Sequence, residues 1–413
     1  MESSALLGAP VRSRHAINFV LITVLLDMIG FGLIIPVLPV LIETVGHLSL
    51  AEASLVGGWM FFAYSAAQFI FGPLMGNLSD RFGRRPLLLL AILGLFLDYL
   101  LQAWAPTLAW LYIGRAISGV CGASWIIANA YIADITAPDE RAKYFGMMGA
   151  AFGLGFVLGP ALGGLLGQFG PRVPFYVAAG ISGVNLVYGW FVLPETLAPA
   201  NRRAFEWRRA NPFGAFKVFA RYHGVVPLCI VLFSFFFFSS VYPAIWPFWA
   251  MAKFGWSTAM VGLTLAIFGL SMAAAQGGLT GPLVKRYGEW NVALFGFGAA
   301  LIAAVGYGFA GGLTMVIVMI LIHTPEGFIH PMLMAMMTRN VPENAQGELQ
   351  GGVAAVLNVA QLCGTVFFAQ MFGFFMSPAA PFQDPAMGFF IAAAGLTMTG
   401  GLFLWLVHRP ALS

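Results

Sequence analysis

Four ionisable side chains lie well inside long apolar stretches of this 413-residue chain: Asp27, Asp98, Arg115 and Glu326. At the centre of a bilayer a charged side chain costs about 2.5–3.5 kcal/mol, so none of the four is expected to face lipid. A nearby arginine stabilises the charged form of a carboxylate, whereas an apolar cavity stabilises the protonated form. A carboxylate that alternates between such surroundings can carry a proton, so these four residues are the candidates for proton coupling.

The depths of three of these residues coincide. Asp98 lies about 12 residues, ~18 Å, from the start of the apolar segment 86–104, and Arg115 about 8 residues, ~12 Å, from the start of the oppositely directed segment 107–132. In a hydrocarbon core of about 30 Å the two side chains are level, and Asp27 lies near the same height. Two interpretations stay open: a proton carrier with Arg115 as its partner, or a permanent ion pair that joins two helices.

A second set of titratable residues follows helical spacing. His323, Glu326 and His330 are separated by three, four and seven residues, which predicts that they share one helix face. A metal site would need about three ligands, but no HExxH spacing or further histidine supports it. A structural cluster is the second alternative, because Pro325 and Pro331 free backbone carbonyls that histidine can bond. We favour a proton or cation-recognition site, since Glu and His titrate in the useful range.

Composition and segment length predict a membrane protein. Hydrophobic residues make up 60% of the chain and charged residues 9%, against about 25% charged residues in soluble domains. A membrane-spanning helix needs about 20 apolar residues, and twelve segments meet that requirement. They are 17–41, 53–76, 86–104, 107–132, 144–167, 173–193, 225–249, 258–280, 291–309, 313–337, 350–374 and 387–407. We predict an all-α membrane protein with twelve transmembrane helices.

The positive charges predict the orientation. Of the 20 Lys and Arg residues, Arg172 and Lys253 fall on one side of the membrane, Arg115 falls within a segment, and all the others fall on the opposite side. The positive-inside rule then places both termini in the cytoplasm, in a multi-pass protein of the inner (cytoplasmic) membrane. The net charge of +4 follows from this topology and predicts no nucleic-acid partner.

The chain divides into two similar halves. Residues 195–222 contain eight charges and separate six predicted helices from six others. The sequence of residues 76–83 is echoed in residues 281–288, an offset of 205 residues. Such repetition is typical of transporters in which two bundles rock about a site near the midplane of the bilayer. We predict two pseudo-symmetric six-helix bundles, 1–194 and 223–413, joined by a cytoplasmic linker, 195–222.

Two glycine-rich motifs predict close helix contacts and a conformational gate. Glycines let helix backbones approach closely, and proline bends a helix. In residues 146–164 the important positions are Gly146, Gly155, Gly159, Pro160, Gly163 and Gly164. In the loop between the second and third helices, glycines permit a tight turn and Asp80 can pair with an arginine. The gate candidates in that loop are Gly76, Asp80, Arg81, Gly83 and Arg84.

These motifs carry a family resemblance. Residues 146–164, 76–86 and 111–119 resemble motifs C, A and B of proton-driven drug antiporters of the major facilitator superfamily. The segments around Asp27 and Asp98, and Gln350-Gly351 with Asn358, resemble the tetracycline/proton antiporters in particular. The resemblance implies the major facilitator fold and proton-coupled efflux of amphiphilic drugs, tetracycline-like or multidrug, by alternating access. It also implies an acidic residue in the ninth helix, where this chain has Ala300, and we predict that Glu326 takes over that role.

Polar and aromatic residues in the segments predict a substrate cavity for an amphiphilic, ring-containing molecule. They are Tyr64, Gln68, Asn129, Tyr242, Trp246, Gln276, His323, His330, Asn358 and Gln361.

Other functions fit the sequence less well. A transporter of an endogenous metabolite on the same fold is the alternative, because fold does not fix substrate. A sensor would need a soluble output domain, and an enzyme a nucleophile with a base at recognisable spacing; neither is found. Cys121, Cys229 and Cys363 lack metal-type spacing, so no metal or cofactor is expected. The expected partners are a small drug or metabolite, protons and the lipid bilayer, and the expected state is a monomer.

Overall fold

The computed structural model describes residues 14–122, 124–137, 140–207, 211–342 and 345–407. Within these residues twelve helices are long and apolar enough to cross a membrane. They are α1 (Ala16–Ile34), α2 (Leu50–Phe82), α3 (Arg84–Trp104), α4 (Leu108–Ile135), α5 (Lys143–Gly167), α6 (Val173–Val192), α7 (His223–Phe254), α8 (Thr258–Gly278), α9 (Thr280–Phe309), α10 (Leu313–Thr338), α11 (Gln346–Met376) and α12 (Met387–Leu406). Arg12, Arg208, Arg209 and Arg409, which contribute to the charge asymmetry, lie outside the described residues.

Several helix boundaries differ from the prediction. The first helix ends at Ile34 rather than at residue 41, because Pro36 lies in a turn and a separate short helix, Leu38–Gly46, follows. In three of these membrane helices the structure describes two separate α-helical parts. Their parts are Leu108–Cys121 and Ser124–Ile135 in α4, Val226–Ser239 and Val241–Phe254 in α7, and Leu313–His323 and Ile329–Thr338 in α10.

The internal repeat is visible in the backbone. Gly83, between α2 and α3, has φ 109°, and Gly288, at a kink in α9, has φ 77°. The two residues are separated by the 205-residue offset of the sequence echo, since 288 − 83 = 205. A positive φ of this size strongly favours glycine, which explains why both copies of the motif carry glycine there.

The first six helices meet the last six mainly along two pairs, α5 with α8 and α2 with α11. We call the membrane face that carries residues 193–207 and 211–222 the linker end and the opposite face the far end. A methyl group on Gly164 of α5 would lie 3.1 Å from the Cα atom of Gly262 on α8, close to the far end. Near the linker end, a methyl group on Gly149 or Gly277 would meet nothing outside its own helix within 4 Å. The two sets of helices therefore converge at the far end and separate toward the linker end.

The segment between α6 and α7 packs against both sets of helices. The ring of Phe213 lies 5.7 Å from the ring of Phe69 on α2. A methyl group on Gly352 of α11 would lie 3.0 Å from the carbonyl oxygen of Ala215 and 3.1 Å from the ring of Phe219. Residues 213–219 of this connection are therefore packed against the helices, whereas residues 198–204 are exposed.

Candidate functional site

A cavity of about 440 Å³ lies between the two sets of helices and is lined by residues of both. Seven of the ten predicted cavity residues line it: Tyr64, Gln68, Tyr242, Trp246, His323, Asn358 and Gln361. Amide groups from α2 and α11 thus face aromatic rings from α7 across one space. This arrangement can hold a ring-containing molecule by stacking and a few hydrogen bonds.

Three predicted cavity residues do not line this space. Asn129 donates a hydrogen bond of 2.8 Å to the carbonyl oxygen of Trp125, one turn earlier in its own helix. Gln276 is exposed and donates to the carbonyl oxygen of Gly327 at 3.2 Å. His330 packs elsewhere, as described below. These three residues therefore lie outside the cavity lining in this structure, because residue type alone does not reveal which helix face a side chain occupies.

Most of the cavity wall consists of residues that the prediction missed. They include Phe31, Phe61, Phe152, Phe156, Phe268 and Tyr307. The chain contains 39 phenylalanines, and nothing in the local sequence marks these five as cavity residues rather than core or lipid-facing ones.

Asp27 lies in a smaller cavity, of about 40 Å³, beside the main one. Arg115 and Tyr64 also line this smaller cavity, and Tyr64 lines the main cavity as well. The Asp27 carboxylate accepts a hydrogen bond of 2.9 Å from the hydroxyl of Ser124. Asp27 therefore lies in a cavity that shares Met28, Phe31 and Tyr64 with the substrate space.

Asp98 is fully buried and does not form a direct ion pair with Arg115 among the described contacts. The side-chain amide of Gln102 lies between them: its Nε2 donates to Asp98 Oδ2 at 2.7 Å, and its Oε1 accepts from Arg115 Nε and Nη2 at 3.2 and 2.9 Å. The hydroxyl of Ser118 also bonds Asp98 Oδ2. Gln102, one turn beyond Asp98 on α3, occupies the space facing Arg115, so the direct ion pair that the sequence left open as one alternative does not form in this structure.

His323 and Glu326 form a contact between Nε2 of the histidine and Oε2 of the glutamate. The phenolic oxygen of Tyr307 lies 3.4 Å from His323 Nδ1. His330 does not join this pair and instead packs edge-on against the ring of Phe236, with ring centroids 5.8 Å apart. No group of three His, Cys, Asp or Glu residues able to hold a metal ion occurs in the described part of the chain.

The predicted common face of these three residues is wrong because α10 is not a regular α-helix. Thr324–Phe328 forms a 3₁₀-helix of five residues. A 3₁₀-helix turns about 120° per residue and an α-helix about 100°, so five such residues rotate the following side chains by about 100°. His323 and Glu326 stay together across this turn, and His330 is rotated away.

Ala300, where the resemblance implies an acidic residue, is fully buried in an apolar cluster with Phe297 and Ala304. It does not line either cavity. The side chain at this position therefore contributes to apolar packing in this chain and carries no charge.

The turn after α2 is held by a buried arginine. Arg84 lies 2.6 Å from Asp80 and 3.1 Å from Asp134 of α4, and it donates a hydrogen bond of 2.6 Å to Ser79. Asp80 thus pairs with Arg84, one of the two partners predicted for it, whereas Arg81 lies over the ring of Phe82. A methyl group on Gly76 would contact Ile126 of α4 at 3.4 Å, so the start of the motif also packs against α4.

Glu195, at the end of α6, is a part of this turn that the prediction missed. Its carboxylate accepts hydrogen bonds from the backbone N–H groups of Arg84 and Arg85 at 3.0 and 3.3 Å. It therefore caps the start of α3, where free N–H groups favour a negative charge. Two hydrogen bonds join this turn to the linker. The side-chain amide of Asn77 donates to the carbonyl oxygen of Glu206 at 2.7 Å, and the backbone N–H of Arg203 donates to the carbonyl oxygen of Asp80 at 3.1 Å.

Replacing Arg84 with methionine is expected to lower the free energy of unfolding by about 1–3 kcal/mol, because two partly buried carboxylates would lose their shared cation. The exposed Arg81→Met variant is the matched control and should change stability by less than about 1 kcal/mol. Thermal unfolding of both purified variants in the same detergent measures the difference. Equal unfolding midpoints would contradict the importance assigned to the Arg84 contacts.

Gly155, Gly159 and Gly163 on α5 lie against α1. A methyl group on Gly159 would lie 2.7 Å from the Cα atom of Gly32, and one on Gly155 2.7 Å from the carbonyl oxygen of Leu25. Pro160 stays inside the continuous helix. In contrast, a methyl group on Gly146 would meet nothing outside its helix within 4 Å. The glycines thus bring the α1 and α5 backbones into contact toward the far end, while the face of α5 that carries Gly146 is exposed.

The two sets of helices, the cavity between them and the buried carboxylates define the class of protein, a multi-pass membrane transporter. The chain belongs to the Major Facilitator Superfamily, whose family model matches residues 20–365 and 228–412.

Two curated relatives are tetracycline resistance proteins. The chain is 36% identical to the class C protein of Escherichia coli, over 97% of each chain. It is 37% identical to the class G protein of Vibrio anguillarum, over 87% of this chain and 91% of that one. A solved structure, that of the nucleoside transporter NupG, has a TM-score of 0.76 at 12% identity, over 95% of this chain and 99% of that one. These comparisons confirm the predicted fold and family.

Proposed function

We propose that this protein exports amphiphilic drugs, tetracycline-like or multidrug, from the cytoplasm in exchange for protons. The observation that carries the proposal is the adjacency of a large aromatic and amide-lined cavity to the cavity that holds Asp27. The similarity to tetracycline resistance proteins supports the drug as substrate. Because these relatives are drug resistance proteins, an endogenous metabolite is the weaker candidate for the substrate.

Protons are coupled to the drug through Asp27 and Asp98. Asp27 and Arg115 line one cavity, and Tyr64 of that cavity also lines the substrate space, so the protonation of Asp27 can respond to drug binding. Gln102 donates a hydrogen bond to Asp98 and accepts one from Arg115, so a movement of Arg115 also moves a hydrogen-bond donor of Asp98. Glu326 provides a further titratable carboxylate on the opposite wall, next to His323.

Alternating access follows from the two sets of helices. Residues 1–194 and 223–413 act as two bundles that rock about the cavity, and residues 195–222 connect them. The glycine contacts of α5 with α1 and α8 hold the far end closed, and the turn at Gly83 with its Arg84 contacts forms part of the gate at the linker end. When the linker end closes, the exposed face of α5 around Gly146 must come into contact with another helix.

The orientation of the protein in the membrane is inferred from the positions of its Lys and Arg residues. With both termini in the cytoplasm, the linker end is cytoplasmic and the cavity is open toward the cytoplasm. The protein is then a multi-pass protein of the inner membrane that takes up drug from the inside. It acts as a monomer, since each polypeptide contains both bundles and the cavity between them.

Replacing Asp27 or Asp98 with asparagine is expected to abolish tetracycline uptake driven by a pH gradient into inverted proteoliposomes, because the titrating carboxyl is removed while the side-chain shape is kept. Asp384→Asn is the matched control. Asp384 lies in a loop at the far end and accepts a hydrogen bond of 2.8 Å from the N–H of Ala386, which an asparagine oxygen can also accept. Gradient-driven uptake at the wild-type rate in both Asp27→Asn and Asp98→Asn would rule out this assignment.

A further inference from the structure

The His323–Glu326 pair lies at the wall of the substrate cavity. The histidine side chain is 2% exposed and the glutamate side chain 11% exposed. His323 lines the cavity, and Glu326 stands behind it on the same 3₁₀ turn. The pair is therefore shielded from bulk water, yet one of its members faces any molecule that occupies the cavity.

The groups around the pair carry no second charge among the described contacts. Tyr242 of α7 and Tyr307 of α9 are the titratable neighbours, with ring centroids 4.3 and 5.8 Å from that of His323. On α8, Phe268 contributes a ring 5.0 Å away. From the same helix, Ser271 accepts a hydrogen bond of 3.1 Å from Thr324. Phe389 of α12 packs against both tyrosines.

The net charge of the pair depends on how many protons it holds. Neutral His323 beside ionised Glu326 has a net charge of −1, and full protonation of both gives +1. A single shared proton gives zero net charge, and a pair without net charge avoids the cost of burying an isolated charge. Removal of that proton leaves a negative charge that a second cation can neutralise.

Aromatic rings next to the pair can hold such a cation. Tyr242, Trp246, Phe268 and Tyr307 all line the cavity, and the ring of Trp246 lies 5.0 Å from that of Tyr307. The indole N–H of Trp246 donates to the hydroxyl of Thr264 at 3.1 Å, which fixes the ring. The faces of such rings attract organic cations.

We propose that the His323–Glu326 pair and these four rings form a cation subsite, in which the cationic group of an aromatic substrate and a proton are alternative occupants. The inference rests on the proposed efflux function and names its substrate class, organic cations such as protonated amines. When the cation binds, the pair releases one proton to the water of the cavity, and Glu326 keeps the negative charge. One positive charge enters and one leaves, so the subsite stays neutral in both states.

Isothermal titration calorimetry on the purified protein in detergent tests this exchange. Tetraphenylphosphonium is the cationic probe, and tetraphenylborate is an anion of nearly the same shape. In two buffers of different ionisation enthalpy near neutral pH, the phosphonium ion should release about one proton per ion bound and the borate none. The wild-type affinity for phosphonium should also rise with pH, by up to about tenfold per pH unit, the slope for one exchanged proton.

Glu326→Gln removes the charge and keeps the shape. It should abolish proton release and weaken phosphonium binding by about tenfold or more. Glu289→Gln is the matched control, because Glu289 pairs with Arg339 at 2.6 Å outside the cavity, and it should bind and release as the wild type does.

Two results would overturn the proposal. One is wild-type binding of phosphonium without proton release or pH dependence, which needs no variant to observe. The other is wild-type proton release in Glu326→Gln together with its loss in Asp27→Asn, which would assign the exchanged proton to α1. Because binding in detergent needs no gradient, a failure of the uptake experiment above would count against the proposed function without affecting this measurement.

Discussion

Replacing Gln102 with leucine is expected to lower the free energy of unfolding by about 3–5 kcal/mol and to abolish drug/proton exchange. Gln102 is 0% exposed and Arg115 5% exposed. Leucine fills a similar volume but offers Arg115 no acceptor and leaves Asp98 with Ser118 as its remaining described donor. A buried charge that loses its polar partner is among the most destabilising of single changes.

The control for Gln102→Leu is Gln370→Leu. Gln370 also donates a hydrogen bond to a neighbouring helix, 3.2 Å to the carbonyl oxygen of Leu55, but it contacts no charged side chain in the described structure. That variant should lose only about 0.5–1.5 kcal/mol. Thermal unfolding in detergent compares the two proteins, and equal losses would contradict the bridging role assigned to Gln102.

A double variant separates the structural role of this cluster from its role in coupling. In Asp98→Asn with Gln102→Glu the carboxylate and the amide exchange places, so the net charge is kept. The introduced glutamate would pair directly with Arg115, and the introduced asparagine could donate to it. We expect this variant to be more stable than Gln102→Leu but still inactive, because the carboxylate has moved by about one helical turn, ~5.4 Å. Recovery of exchange would show that the position of the carboxylate does not matter.

Helical spacing and composition predicted the twelve helices because a bilayer imposes length and apolarity on each of them. The limits of this reasoning appear where a helix is irregular. A heptad-like spacing from His323 to His330 predicts one face only if every residue turns by the same angle, and Pro325 begins a tighter turn. Likewise Pro36, in the turn after Ile34, ended the first helix earlier than its apolar composition indicated.

The candidate site shows a different limit. Asp27, Asp98 and Arg115 stood out because a charge inside a membrane is rare, and the structure brings Asp27 and Arg115 to one cavity. Gln102 carries no charge and lies in an ordinary Leu-rich segment, so only the three-dimensional arrangement reveals that it joins the two charged residues. Asp134 and Glu195 were missed at the gate for a related reason: their partner, the turn at Gly83, lies about 50 residues or more away in the chain.

Replacing Gly159 with leucine is expected to separate α1 from α5 and to abolish transport while the protein still inserts into the membrane. A methyl group at this position would already lie 2.7 Å from the Cα atom of Gly32 and 2.8 Å from the carbonyl oxygen of Ile29. Both neighbours are backbone atoms of α1, so no side chain can rotate to make room. The helices must move apart, at a cost of about 3 kcal/mol in the free energy of unfolding.

This displacement should reach the contact between the two sets of helices. One turn beyond Gly159, Gly164 of α5 packs against Gly262 of α8, so a shift of α5 disturbs the closure of the far end. Gly180→Leu is the matched control, because Gly180 of α6 is exposed and a methyl group there would meet nothing outside its helix within 4 Å. Membrane expression, thermal unfolding and tetracycline uptake are measured together for both variants. Wild-type uptake by Gly159→Leu at equal expression would show that close packing of α1 and α5 is not needed for the transport cycle.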